Sequence, residues 1–450
     1  MAPPFPFEPL LIFGFLSLML LLGLLLRAFV PFFQKFLFPA SLIGGMAGLA
    51  LINTGFFPMD TELVKAFAYH FFNISFISVG LTPPDPGVVT GKKSRNLIKG
   101  SVWMALVQGA TFPMQAVIGT VIVFVFAAGG QPLFETFGFL LPLGFNEGPG
   151  QALSFGRVWE TAGFANAATI GLTFATLGYF FSFFVGVPMA NRGLKKKTYA
   201  RKKLPEFFSR GILPKDQMPP PAGGMTTHSA NLDSLAFQFS QVGVVYLVTY
   251  LFLLVITRIM PPDTAGMLWG FFFLFGLVFA VILRSLAAQT PFSRLMNPPF
   301  QRRITGFSVD YLIVATGCGI ELFVLRTYVT PLLAIALTGG VLTTLLVWML
   351  GRRLSEYPLE RTVAIYGVVT GTVSCGLMLL RIVDPEFKTP AARELGFMNI
   401  FAVPVVGGLT ALLNAPFWWG WSTFATALVF AGILFAALVL LLNRKIWQNL

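Results

Sequence analysis

The sequence predicts an all-α polytopic membrane protein with two inverted repeats, and three observations carry that expectation. Of its 450 residues, 56% are hydrophobic and only 11% are charged, a balance that excludes a soluble enzyme. The apolar residues fall in long continuous runs, whereas a β-barrel would show short alternating strands. Two of the runs are interrupted by glycine, proline or hydroxyl residues. The first interruption is Gly144-Phe145-Asn146-Glu147-Gly148-Pro149-Gly150-Gln151, and the second is Thr370-Gly371-Thr372-Val373-Ser374-Cys375-Gly376. Irregular backbone at membrane depth is tolerated only where protein or a water-filled cavity surrounds it.

In order, the apolar runs are 10–26, 38–57, 66–81, 102–128, 137–156 and 164–190, then 235–257, 264–283, 307–325, 330–350, 362–380, 395–416 and 417–442. Most meet the length of about 20 residues that a helix needs to cross a bilayer. Met1 to Pro9 carries Glu8 and no basic residue. That makes a poor signal peptide, so 10–26 is expected to be a retained helix. The linker 191–234 is rich in Lys, Arg, Pro and Gly and is expected to be extended or mobile.

The basic residues decide which runs cross. If 137–156 and 362–380 dip in and return while the other eleven runs cross, 27 of the 31 Lys and Arg fall on one face. Only Lys65, Arg157, Arg258 and Arg326 fall on the other. By the positive-inside rule the rich face is cytoplasmic, which places the N-terminus outside and the C-terminus in the cytoplasm. The net charge of +13 is then a matter of topology, and no nucleic-acid partner is expected. Five crossings separate the two re-entrant segments, and an odd number inverts the second unit. The expected organisation is a first repeat over 1–190, a basic cytoplasmic linker over 191–234, a second repeat over 235–416, and an additional transmembrane helix over 417–450. Each repeat would hold about five transmembrane helices and one re-entrant segment. Inverted repeats with broken segments at matching positions point to a secondary transporter's binding site.

Glu147-Gly148-Pro149-Gly150-Gln151-Ala152, Gly163-Phe164-Ala165-Asn166-Ala167-Ala168-Thr169, Phe174-Ala175-Thr176-Leu177-Gly178 and Gly186-Val187-Pro188 together resemble the sodium:glutamate symporter family. Pro39 with Gly44-Gly45, Phe76–Leu81, Glu321-Leu322 to Leu333 and Val403–Gly407 are similar in a weaker way. The resemblance is diffuse over 10–416 and strongest over 140–190. It implies a membrane carrier with two re-entrant loops, a homodimer moving by an elevator-like mechanism, and sodium-coupled symport of glutamate or a related small carboxylate. The loops depart from the family, which is richer in glycine, histidine and threonine where this chain has Phe145-Asn146-Glu147 and Pro149.

Several residues can carry that chemistry. Re-entrant tips expose backbone carbonyls, which suit Na⁺, and helix N-termini, which attract a carboxylate. The substrate is expected at Asn146, Glu147, Gly148, Gly150, Gln151 and Ser154 of the first tip and at Thr370, Thr372 and Ser374 of the second. The hydroxyls can instead bond back to helix carbonyls. Glu147 is the only acid inside a re-entrant run, a functional hypothesis by default. It would help bind Na⁺, carry a proton in a proton-coupled antiporter or exporter, repel an anionic substrate's competitors, or sit at a cavity mouth paired with Arg157. Sodium is expected at Asn73 and Ser78, where the short run 66–81 would break near Gly80 and lend carbonyls, with Ser75 nearby. It is also expected at Asn166 and Asn399, which would open matching helices in the two halves or merely cap them. Glu321 would pair with Arg326.

His70 and His228 are isolated and the two cysteines lack ligand spacing, so no metal beyond Na⁺ and no cofactor is expected. The absence of GK[ST] argues against ATP-driven transport, and no nucleophile–His–acid set suggests an enzyme. The expected location is the inner membrane of a bacterium.

Overall fold

A computed structural model describes residues 5–57, 59–83, 92–196, 206–215, 218, 223–260, 265–266, 268–385 and 387–447. Among the described residues every regular element is helical. Among these residues eight helices are long and apolar enough to cross a membrane, or nine if the bent helix Ala391–Leu413 is counted. The chain is thus an all-helical polytopic membrane protein.

The first half contains α1 (Glu8–Phe29), α2 (Ala40–Asn53), α3 (Thr61–Leu81) and α4 (Lys92–Ala128). α2 lies against α1 with backbones touching, since a Cβ on Gly23 would strike the Ala40 carbonyl and one on Gly44 the Met19 backbone. Small residues of this kind let membrane helices approach closely. With 14 residues, α2 is shorter than the run 38–57 promised. Pro39 precedes it, and the chain turns at Gly55 with φ of +73°.

α3 starts at the Asp60 cap, whose carboxylate accepts from the Glu62 amide. It ends at Leu81, next to the break expected near Gly80, and residues 84–91 lie outside the described residues. The carbonyls of Gly80 and Thr82 accept from Arg284 Nη1 at 2.9 and 2.8 Å. A guanidinium takes the position where a coupling cation was expected.

The run 137–156 is a helical hairpin. A 3₁₀ turn and α5 (Leu140–Phe145) form one arm, and α6 (Pro149–Thr161) forms the other. Two nearly continuous helices follow, α7 (Ala167–Phe184) and α8 (Gly186–Lys196). The linker is therefore helical at its start, with a further short helix at Glu206–Arg210. The Phe208 and Ser209 carbonyls of that short helix accept from Arg27. Lys197, Arg201, Lys202 and Lys203 lie outside the described residues.

The second half repeats the order: α9 (Ser234–Arg258), α10 (Phe272–Ala287), α11 (Pro298–Cys318), α12 (Leu322–Gly351), a hairpin of α13 (Pro358–Val369) and α14 (Val373–Val383), then α15 (Ala391–Leu413). α11 has 21 residues but carries Arg302, Arg303 and Asp310, and it does not meet the apolar criterion. Pro149 and Val373 open the second hairpin arms, and Ala167 and Ala391 open the helices after them. Both pairs lie 224 residues apart in the numbering. Asn399 consequently does not open a helix as Asn166 does. It lies inside α15, where the axis bends by 47°. The last run is interrupted as well: Gly420 takes φ of +62°, and α16 (Thr423–Leu442) begins only after the Ser422 cap.

Together α7 and α8 make one span, Ala167–Leu194, the spine on which both hairpins lie. Gly156 meets Ala168, Gly171 meets Ala152, and Gly144 meets Ala175. The first hairpin thus enters from the Ala167 end. Gly193 meets Leu359, Gly186 meets Tyr366 and Leu379, and Gly178 meets the Thr370 carbonyl. The second hairpin therefore enters from the opposite end, and both tips reach the middle of the spine.

The remaining helices sort into two packed groups. One comprises α1, α2, α3, α9, α10 and α11; the other comprises α4, both hairpins, the spine, α12, α15 and α16.

Candidate functional site

The two hairpin tips touch. Gly148 caps α6 with φ of +85° and ψ of −175°, a region essentially confined to glycine. A Cβ there would stand 3.1 Å from Thr372 Cγ2 and 3.2 Å from the Gly371 carbonyl. Thr370 anchors the second tip to the spine, with its hydroxyl 2.7 Å from Ser182 Oγ and 2.7 Å from the Tyr366 carbonyl, to which it donates.

A cavity of about 340 Å³ lies beside this contact, at the small end of the range for ligand sites. Both tips line it, the first through Asn146, Glu147, Pro149, Gly150 and Gln151 and the second through Thr372, Val373 and Ser374. α3, α10, α11 and α15 supply the other walls, so the cavity sits on the seam between the two helix groups. α6 and α14 both begin here. The α14 start has no side-chain cap, which leaves its first amides available to an anion.

The Glu147 carboxylate accepts from Gln108 Nε2 at 3.2 Å and Gln151 Nε2 at 2.9 Å. It does not pair with Arg157, which bonds Glu62 and Glu160. Asn146 donates to Thr111 Oγ1 at 2.8 Å. The Oδ1 of Asn146 and the Oε1 atoms of Gln151 and Gln108 are buried without a partner. Ser154 is bonded back to the Gly150 carbonyl. Thr370 and Ser154 do not line the cavity; the other substrate candidates either line it or, like Gly148, form the tip contact.

The sodium candidates are not brought together. Asn399 lines the cavity. Asn166 is exposed at the start of the spine, in a left-handed conformation, and makes no side-chain cap. Ser78 donates to the Gln301 carbonyl at 2.6 Å. Asn73 is fully buried on α3 with neither amide atom bonded; it lies outside the cavity, whereas Phe72, Ser75, Phe76 and Val79 of the same helix line it. Among the described residues no cluster of His, Cys, Asp and Glu could hold a metal.

Residues of α4 not singled out in the sequence hold both tips. Gln108, Thr111 and Gln115 of α4 are all buried. Gln115 donates to Thr343 Oγ1 and to the Val369 carbonyl at the end of α13. Their i, i+3, i+7 spacing in an apolar run marks one helix face, and that signal was available. Tyr179 of the spine also lines the cavity, its hydroxyl buried without a partner.

A second cavity, of about 590 Å³, opens at the Ala167 end of the spine. Glu62, Lys65, Tyr69 and His70 of α3 line it with Leu153, Ser154, Arg157 and Glu160 of α6. Lys65 pairs with Glu62 at 3.1 Å and with Glu321 at 2.5 Å, so Glu321 is taken by Lys65 and not by Arg326. The nearest lining residues of the two cavities are only two positions apart, His70 and Phe72 on α3 and Gln151 and Leu153 on α6. At that boundary Phe72 lies on Gly150, where any Cβ would enter the ring.

Compared with protein-family models and with curated proteins, the chain matches none.

Proposed function

We propose that the protein is a secondary active transporter, carrying glutamate or a related small carboxylate in symport with sodium, as the likeness to sodium:glutamate symporters implies. The observation that carries this reading is the meeting of two hairpin tips, entering from opposite ends of one spine, at a cavity between two helix groups. Broken helices that meet near the bilayer midplane are the usual architecture of a transporter site. The shared spacing of 224 residues supports an inverted duplication, with α16 as the addition. The seam between the groups supports alternating access by an elevator-like shift of one group against the other, in a homodimer.

Sodium-gradient-driven uptake of labelled acidic solutes into proteoliposomes tests the proposal, and no uptake or exchange of any carboxylate sinks it. The face holding Arg27, Lys99 and Arg361 is assigned to the cytoplasm of a bacterium. Labelling of single cysteines near each terminus from the two sides of intact cells checks that orientation.

Glu147 favours a second reading, proton-coupled exchange. It is the one acid in the lining and its partners are neutral amides. If Glu147→Gln abolishes pH-driven exchange and no sodium dependence is found, the second reading replaces the first.

A further inference from the structure

The cavity is electrostatically one-sided. Its lining contains Glu147 and no Lys, Arg or His, and among the described residues no basic side chain is paired with that carboxylate. The buried polar atoms left over beside it are amide acceptors, apart from the Tyr179 hydroxyl, which can donate or accept. Gln151 Oε1 and Asn146 Oδ1 have no partner, on residues only 4% and 2% exposed. An acid ringed by spare acceptors calls for a donor that is also positive. Across the tip contact the situation is reversed, because the uncapped start of α14 offers amide N–H groups and the positive end of a helix dipole. The remaining walls are largely apolar, with Phe72, Phe76 and Phe273 among them. A dicarboxylate would place its second negative charge against Glu147 without a counter-charge, which selects against it.

We infer that the cavity takes an amino acid with an apolar side chain, its ammonium group on Glu147 and its carboxylate on the amides that open α14. This deepens the carrier reading, on whose assignment of the cavity as the substrate site it rests, and narrows its small carboxylates to neutral amino acids in place of glutamate. Sodium resting on Glu147 alone is the competing arrangement. It predicts that carboxylates without an amine bind as well as amino acids do.

The test is binding to the purified full-length protein in detergent, by calorimetry, in sodium and again in potassium buffer. The ligands are leucine, its des-amino counterpart 4-methylpentanoate, isoamylamine and glutamate. Leucine is expected to bind at least about tenfold more tightly than each of the other three, as a buried charge pair implies. Glu147→Gln is expected to abolish the preference for leucine over 4-methylpentanoate, and Glu147→Asp, which keeps the charge, to retain it. Equal binding of leucine and 4-methylpentanoate by the unaltered protein overturns the inference, as does tighter binding of glutamate or no binding of leucine. An unchanged preference in a folded Glu147→Gln variant overturns it too. Failure to transport leucine with the binding preference intact counts against the carrier reading alone.

Discussion

The two hairpins share a spine and meet at their tips, yet they are fastened differently at their bases. At the base of the second, Arg361 of α13 forms a bidentate pair with Glu394 of α15, at 2.8 and 2.6 Å. The two side chains are 1% and 0% exposed. Gly100 of α4 leaves room for the carboxylate, where a Cβ would overlap it. The first hairpin is held by a neutral buried bond from Trp159 Nε1 to Asn414 Oδ1 at 2.8 Å. At the rim, Arg157 is 39% exposed and pairs with Glu62 of α3 and Glu160. The second hairpin is thus tied within its own helix group. The first is tied partly across the seam, through a contact that water can replace. The difference teaches which attachment is suited to breaking and re-forming.

Variants can break or sharpen that contrast. The largest effect is expected from Glu394→Ala, which strands a buried guanidinium and should cost about 3–5 kcal/mol. Thermal unfolding in detergent reads this, and the paired apolar change Arg361→Met with Glu394→Leu should recover much of the loss. Near-native stability of Glu394→Ala would place the anchor of the second hairpin elsewhere. Next comes Gly148→Ala, which puts a side chain into glycine-only backbone at a cost of about 1–3 kcal/mol. It should also part the tips, so ligand binding by calorimetry should weaken together with the melting temperature. A smaller loss, about 1 kcal/mol, is expected when Trp159→Phe removes one buried hydrogen bond. Arg157→Ala should change stability by less than about 1 kcal/mol, since exposed ion pairs contribute little. If it proves as damaging as Glu394→Ala, the distinction between the two bases fails.

Much of the fold was legible because membrane helices announce themselves by length. The two breaks were legible because glycine, proline and polar residues cluster at Asn146–Gln151 and Thr370–Ser374, whereas Pro113 and Pro331 stand alone and leave their helices unbroken, and because the basic residues needed those segments not to cross. Rotation was the harder part. Asn73 and Ser75 are two residues apart on α3, yet only Ser75 lines the cavity, because two steps turn a helix by about 200°. Without the neighbouring helices, residue type alone could not separate them. Asn166 and Asn399 misled because Gly163-Phe164-Ala165-Asn166 and Gly396-Phe397-Met398-Asn399 are locally alike, a likeness that the 224-residue spacing of the helix starts does not share. Gln108 and Thr111 were passed over although they furnish the partners of Glu147 and Asn146. Their polarity is quiet beside a glycine–proline break. Arg284 could not have been matched to the end of α3 from sequence, since 204 residues separate it from Gly80.

The contact of Phe72 with Gly150 has a consequence for the shape of the cavity. Both residues line it, and the ring is packed in turn on Phe76 and Phe273 at 4.9 and 5.2 Å. A Cβ at position 150 would enter the ring, so the smallest possible side chain there would push on three aromatic wall residues at once. Even alanine at 150 would therefore remodel the chamber from the hairpin side, before any residue that meets a ligand had changed.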